Sequence, residues 1–325
     1  MCHPGVIPRW LEGLQITTMS PHFARSITAV LLIGVIGACS TDKKPAADTT
    51  TVLPAAANQP AITSVNTGWQ DTISGPALVL PVTDNSAAVS IVLPMMNDSM
   101  LSRDSTVSGD SLLGTTIDLF DRSGPAGVAQ LSSRGQSAPA EGCLAWPVLS
   151  LRDPITKTWQ VGFKAGIAAS IPLDSLEGVA SADSVLITTE LARLASALPA
   201  SNDPAFQGLP FSVRKAYRTK QNILIGDIVR KINEEANPRE EHLLLIAEPN
   251  PTDRAHYVTV FHSRAAGSEE AVRTSDVLAA IQFAKNKRTA LVVSFGYENG
   301  NRAVLIERMS NNNWKVTWRS AYTGC

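Results

Sequence analysis

Short apolar runs separated by clusters of Gly, Pro, Asp and Ser fill the first half of the region that follows residue 68. Six such runs are Ala77–Pro81, Ala87–Leu93, Thr115–Phe120, Val128–Ser132, Leu144–Leu149 and Trp159–Phe163. Runs of this length and spacing are typical of β-strands joined by tight turns. They predict a mainly antiparallel β structure.

The C-terminal end predicts a three-stranded meander. Its strands are Thr289–Phe295, Arg302–Glu307 and Trp314–Ser320. The connections contain Asn-Gly and a run of three Asn, residues that tolerate positive φ in tight turns. In the last strand Trp314, Val316 and Trp318 alternate with polar residues, which predicts that all three point to one face.

Two segments show helical periodicity. In Ser184–Leu198, Leu191 and Leu194 fall on one face, and Pro199 ends the segment. The second segment is Ser275–Asn286. A third, Ile223–Ile232, fits a helix by its periodicity and a strand by its β-branched content. The predicted fold class is therefore α+β, a mainly antiparallel sheet with two or three helices.

Charge changes sign along the chain although the total is nearly neutral. There are nine basic and sixteen acidic residues from Ser40 to Pro210, against seventeen and twelve from Phe211 to Cys325. The globular region 69–325 is either two subdomains, about 69–205 and 206–325, or one domain with two differently charged faces. A net charge of −1 gives no reason to expect a nucleic-acid partner.

A short apolar segment near the N-terminus has the layout of a secretory signal. Arg25 precedes the apolar run Ile27–Ala38, and no acidic residue lies between Met19 and Cys39. Twelve helical residues span about 18 Å, too little for a hydrocarbon core of about 30 Å. We predict a signal peptide over 19–38, with translation starting at Met19 and residues 1–18 lying upstream of the true start.

The sequence Ile36-Gly37-Ala38-Cys39 at the end of this segment resembles the lipobox of bacterial lipoproteins. The resemblance implies cleavage before Cys39 and diacylglycerol on the Cys39 sulfur, with further acylation by palmitate-type chains. Ser40 at the second mature position implies the outer membrane rather than the inner one. The implied location is a lipid anchor in the cell envelope, with the domain facing the periplasm or the cell surface.

A tether separates the lipid from the domain. Residues 39–68 comprise the anchoring Cys39 and a segment in which Ala, Thr, Pro and Ser supply 17 of the 29 residues from Ser40 to Gly68. Such a composition cannot bury enough apolar surface to order the chain. A flexible linker of this length reaches about 30 Å on average.

Two further cysteines belong to the globular region. An even pair in an oxidising compartment predicts a disulfide between Cys143 and Cys325. Two free thiols are the alternative.

One set of motifs suggests an enzyme. Gly109-Asp110-Ser111-Leu112 resembles the nucleophile motif of GDSL esterases and lipases. The resemblance implies Ser111 as nucleophile, His256 as base, Asp253 as its orienting carboxylate and Asn202 in the oxyanion hole.

The remaining charged clusters fit solvated surface. Arg214, Lys215, Arg218 and Lys220 form a basic group that could face an anionic envelope polymer, and Glu240-Glu241 is one of three acidic pairs. No cofactor or metal site is predicted. The function expected is binding or structural support by a membrane-anchored envelope lipoprotein, with another envelope protein or polymer as partner. The alternative is an anchored serine esterase.

The anchor is directly testable. When cells that express the protein are supplied with radiolabelled palmitate, the protein should take up the label. Cys39→Ser should abolish both the label and sedimentation with vesicles, because the lipid is the only membrane attachment that the resemblance implies. A Cys39→Ser protein that still sediments with vesicles would contradict the anchor.

Overall fold

The computed structural model describes residues 78–82, 88–92, 112–134, 146–152, 155, 157–176, 182–298, 300–320 and 323–324. The predicted upstream segment, signal peptide and tether, together with Ser111 and the cysteines Cys39, Cys143 and Cys325, lie outside the described residues. They stay predictions.

Six antiparallel strands close into a barrel in the order β1-β2-β5-β4-β3-β6. They are β1 (Leu78–Pro81), β2 (Ala88–Val92), β3 (Thr116–Asp121), β4 (Gly124–Arg134), β5 (Val148–Leu151) and β6 (Val161–Lys164). Side chains such as Ile117 and Leu119 fill the interior. Gly162 faces the same interior, where a Cβ would come within 2.7 Å of Ile117. No larger residue fits at that position without repacking.

A six-stranded sheet packs against the barrel. Its strands are β7 (Ala168–Ile171), β13 (Thr274–Phe283), β14 (Thr289–Tyr297), β15 (Gly300–Ser310), β16 (Asn313–Arg319) and β17 (Thr323–Gly324). The order is β16-β15-β14-β13-β7, with β17 beside β15. Both faces are buried: in β14, Val292 packs in the core shared with the barrel and Leu291 in a second core on the other side.

A five-stranded sheet covers that other side. It contains β8 (Leu173–Ser175), β9 (Ser212–Thr219), β10 (Leu224–Ile232), β11 (Arg239–Pro249) and β12 (Tyr257–Ser268), in the order β12-β11-β10-β9-β8. Its outer face carries the helix α1 (Ala182–Ser196), which packs on β9–β11 through Ile187, Leu191 and Leu194. The layers are therefore barrel, six-stranded sheet, five-stranded sheet and helix.

The α+β prediction with two or three helices is wrong, because the structure is mostly β and α1 is the one α-helix of its described part. The segment Ser275–Asn286, predicted as a helix, forms most of β13 and the turn that follows it. This strand is buried on both faces, so its apolar residues follow one another without the alternation of a half-exposed strand. The ambiguous segment Ile223–Ile232 is β10.

Other predictions are confirmed. All six short runs overlap β1–β6, and Ser184–Leu198 overlaps α1. The C-terminal meander is present as β14, β15 and β16, paired antiparallel in that order.

Strand pairing crosses the boundary between the two possible subdomains near residue 205, since β7 pairs with β13 and β8 with β9.

The predicted common face of the last strand is wrong. Val316 pairs with Ile306 and packs between the two sheets, whereas Trp318 pairs with Leu305 and packs on the barrel side. A bulge at Thr317 takes up one residue and reverses the orientation of those that follow. The Thr317 hydroxyl donates to the buried Glu307 at 2.7 Å.

A buried carboxylate joins the two sheets. Glu248 of β11 is 3% exposed and accepts two hydrogen bonds from Arg308 of β15, both 2.7 Å, and one from the Trp314 indole at 2.6 Å. The Asn312 amide adds a fourth at 3.2 Å. Burial raises the pKa of the Glu248 carboxyl, but these donors outweigh it and the net pKa is lowered.

A second ionic group joins three layers. Arg122, in the turn between β3 and β4, donates to both oxygens of Asp276 at 2.8 Å and to the Val277 carbonyl at 2.6 Å. Lys215 of β9 reaches Asp276 at 2.9 Å, and the Arg122 guanidinium lies over the Tyr217 ring. Asp276 therefore binds the barrel turn and the five-stranded sheet to the six-stranded sheet.

Replacing Glu248 with Gln should lower the free energy of unfolding by about 2–3 kcal/mol at pH 7, because the Arg308 guanidinium loses its counter-charge. Glu248 has a lowered pKa in the folded state, so its contribution is present above the unfolded pKa of about 4.3 and is lost as pH falls through the folded value. Urea unfolding followed by circular dichroism should show the difference shrinking in acid.

The matched control is Glu235→Gln, in the exposed β10–β11 turn. It should leave the unfolding free energy unchanged at both pH values. Equal effects of the two substitutions would refute the role of Glu248.

Candidate ligand pocket beside helix α1

A pocket of about 400 Å³ opens where α1 ends. The chain leaves the helix after Ser196, turns at Ala197 and Leu198 and then crosses the outer face of the five-stranded sheet to Phe211. A short 3-10 turn, Pro204–Phe206, is capped by the Asp203 carboxylate, which accepts from the Ala205 amide. The helix end and this segment form the walls, and the sheet supplies the floor.

Three charged side chains make up the floor: Arg230 on β10 and Arg264 on β12 line the pocket, and Glu241 on β11 is buried between them. Strand register places them together, because Arg230 lies directly opposite Glu241 and Arg264 opposite Leu243, two residues along the same face. Ile228 and Leu243 on that face pack under α1. The charged residues begin where the helix no longer covers the sheet.

Arg230 is held by a carboxylate and two rings. Its Nε donates to the Glu241 Oε2 at 2.5 Å, and its guanidinium lies 4.4 Å from the Phe211 ring and 5.8 Å from the Phe206 ring. The side chain is 7% exposed. Contacts of a guanidinium with ring faces are attractive and fix its plane. Arg230 is therefore positioned before any ligand arrives.

Glu241 lies between the two arginines and is fully buried. Its Oε1 is 3.8 Å from the Arg264 Nε, and neither atom has a hydrogen-bond partner in the described part of the chain. A buried carboxylate is tolerated only when its charge is compensated. Two guanidiniums against one carboxylate leave the floor with one net positive charge.

The arginines keep unused donors. Arg264 Nη1 donates to the Pro199 carbonyl at 2.9 Å, and Arg230 Nη1 makes a long contact of 3.5 Å with the Leu209 carbonyl. The Nη2 groups of both side chains make no hydrogen bond to other described residues. Two N–H₂ groups in one pocket can bind an anion through charge-assisted hydrogen bonds.

An ion pair closes one end of the wall segment. Arg239, the first residue of β11, pairs with Asp203, and its guanidinium lies over the Phe206 ring at 5.4 Å. Because the pair is neutral, it fixes the segment without changing the net charge of the floor.

The residues of the esterase hypothesis do not all come together. In the turn between β11 and β12, His256 Nδ1 donates to Asp253 Oδ2 at 2.7 Å, and this bond lowers the pKa of Asp253. Both side chains are more than half exposed. Asn202 is next to Asp203, whose partner Arg239 begins β11 at its other end. About 30 Å of strand therefore separates Asn202 from His256.

The basic group seen in the sequence is largely neutralised. Arg214 donates to Asp227 at 2.8 Å, Lys215 to Asp276 at 2.9 Å and Arg218 to Asp183 at 2.8 Å. Lys220 lies exposed in the turn that follows β9. Three of the four charges are therefore paired within the fold, and the fourth, Lys220, is exposed to solvent.

The residues that sequence reasoning missed are Arg230, Glu241 and Arg264. The acidic pair Glu240-Glu241 was expected to be solvated, but both side chains are buried on opposite faces of β11. Glu240 pairs with Lys231 and His242 on the inner face. The sequence does carry a signal for two of the missed residues. Arg230-Lys231 and Glu240-Glu241 stand on either side of a turn, so a hairpin places their opposite charges across from each other.

No group of three or more His, Cys, Asp or Glu side chains suited to a metal ion occurs among the described residues. Within the same residues, no helix combines the length and hydropathy needed to cross a membrane. No protein-family model, curated protein or solved structure matches the chain.

Arg230 should be more important for stability than its single charge suggests. Arg230→Met should lower the free energy of unfolding by about 3–5 kcal/mol, because the Glu241 carboxylate loses its hydrogen-bonded counter-ion in the interior. The double variant Arg230→Met/Glu241→Leu should regain most of this loss. Urea unfolding of the four proteins of this cycle measures the coupling, and purely additive effects would contradict it.

Proposed function

We propose that this protein is a lipid-anchored component of the bacterial cell envelope that acts by binding, and that the pocket beside α1 takes an anionic ligand. The lipobox-like sequence at Cys39 supports the anchor, and the arginine floor supports the ligand class. The single observation that carries the binding role is the pair Arg230 and Arg264, whose Nη2 donors bind no other described residue and lie in a walled pocket.

Guanidiniums are usually placed in a protein interior with matching carboxylates, because burying a charge without compensation is costly. Here Arg230 is 7% exposed and Arg264 is 18% exposed, yet they share one carboxylate. An anion from outside would bring the local charge to zero. It would also accept from the Nη2 groups in a setting where water competes weakly.

The tether determines where such a ligand would be met. A linker with a reach of about 30 Å keeps the domain close to the membrane that holds the lipid. Ligands accessible there are anions of the envelope, free or carried by an envelope polymer or another envelope protein. The outer membrane is the proposed location because Ser40 follows the anchoring cysteine.

The serine esterase is the competing proposal. The hydrogen bond between His256 and Asp253 favours it, whereas the separation of Asn202 from His256 by the length of β11 does not. A fluorophosphonate probe distinguishes the two: labelling that Ser111→Ala abolishes would support the esterase, and an unlabelled protein supports binding.

The binding role predicts an anion-dependent rise in melting temperature. The full-length protein in detergent should melt higher with at least one member of a panel of phosphate, sulfate and small organic acids, because a ligand that binds only the folded state stabilises it. Arg264→Gln should remove the rise.

Arg254→Gln is the matched control, since Arg254 is an exposed arginine in the turn of the same hairpin. It should respond to anions as the unsubstituted protein does. A panel without effect, or an effect that Arg264→Gln retains, would refute the pocket as an anion site.

A further inference from the structure

We infer that the ligand of this pocket is an apolar group bearing a single carboxylate. The inference rests on the proposed anion-binding function and narrows it to one chemical class. Two sources carry this chemistry. One is the C-terminal residue of a peptide, with an apolar side chain beside its carboxylate, and the other is a small free acid.

The charge of the floor selects a monoanion. Arg230 and Arg264 together exceed Glu241 by one positive charge, and the nearby pair Arg239–Asp203 adds none. One negative charge therefore neutralises the floor. A dianion such as sulfate or hydrogen phosphate would leave an excess negative charge beside the fully buried Glu241, where like charges repel strongly.

The geometry of the donors does not by itself distinguish carboxylates from phosphates, since guanidinium groups bind both through paired N–H bonds. It does require a ligand that approaches the guanidinium edge. The Arg230 guanidinium lies over the Phe211 ring at 4.4 Å and over the Phe206 ring at 5.8 Å, so the rings take up space on those sides of it. A carboxylate approaching in the plane of the fork meets this requirement.

The walls select an apolar group. The apolar part of the lining comes from Leu198, Pro199, Leu209, Pro210 and Phe211, and Ser196, Ser201 and Gln207 add polar side chains. Contact with the apolar side chains gains free energy only if the ligand buries apolar surface of its own. Hydrated inorganic anions have none to bury. The volume of about 400 Å³ lies near the lower end of the range for small-molecule sites, which suits a compact ligand.

Isothermal titration of the full-length protein in detergent tests the class with matched probes. N-acetylphenylalanine and 3-phenylpropionate carry both the carboxylate and an apolar ring. N-acetylphenylalaninamide is the neutral isostere of the first, and inorganic phosphate is an anion without an apolar part. Both carboxylates should bind at least tenfold more tightly than the amide and phosphate. Tighter binding of N-acetylphenylalanine than of 3-phenylpropionate would identify a peptide C-terminus, and the reverse order a free acid.

Variants connect the affinity to the pocket. Arg264→Gln should weaken carboxylate binding at least tenfold, and Arg264→Lys should recover part of it because it keeps the charge without the fork. Glu241→Gln raises the floor to two net positive charges and should shift the preference toward phosphate by tenfold or more. Leu209→Ser, a wall substitution that leaves the three charged side chains unchanged, should weaken the carboxylates several-fold and leave phosphate unchanged.

Two outcomes separate failure of this inference from failure of the proposed function. If phosphate binds most tightly, or the amide binds as well as the acid, and Arg264→Gln still abolishes the signal, the pocket binds ligands but the monocarboxylate class is refuted. If no probe and no other anion binds in an Arg264-dependent manner, the proposed function is refuted with it.

Discussion

The six-stranded sheet must be apolar on both faces, because the barrel packs on one and the five-stranded sheet on the other. Most of the core depends on this sheet. Its central strands consist of unbroken apolar residues, as in Ala290–Val293 and Ala303–Ile306. Ion pairs to the neighbouring layers lie near the ends of these strands. Arg308 binds Glu248 of the five-stranded sheet, and Asp276 binds Arg122 of the barrel. Burial of the centre and ion pairing at the periphery together fix how the layers stack.

The same constraint explains which parts of the fold the sequence predicts. Of the barrel strands, all but β4 have four to six residues and are bounded by turn residues, and the last strands are joined by Asn-rich turns, so their pattern is local. β13 is different: Val277–Ile281 is apolar throughout, and a continuous run does not distinguish a helix from a strand covered on both sides. Only the neighbouring layers decide, and their positions depend on contacts far apart in sequence. The bulge at Thr317, which reverses Trp318, is equally invisible in an alternating pattern.

The pocket was less predictable than the fold because its residues come from three strands and its walls from a connection without regular structure. Arg230 and Arg264 look like ordinary surface arginines in the sequence. Their burial follows from the position of α1, whose end leaves a stretch of sheet for the segment up to Phe211 to cover. The motifs that looked catalytic, by contrast, were in chain order but not in spatial order, since β11 separates Asn202 from His256. Motif order along a chain says little about distance when a long strand intervenes.

The β10–β11 hairpin has consecutive charged residues facing opposite layers: Arg230 and Glu241 lie outward, Lys231 and Glu240 inward. Sliding either strand by one residue would exchange every one of these partners and set a guanidinium against leucines on a covered surface. The hairpin therefore has a single permitted alignment, enforced by electrostatics on both sides at once. This fixed register protects the hairpin from strand slippage, which in weakly specified strands leads to alternative pairing and aggregation.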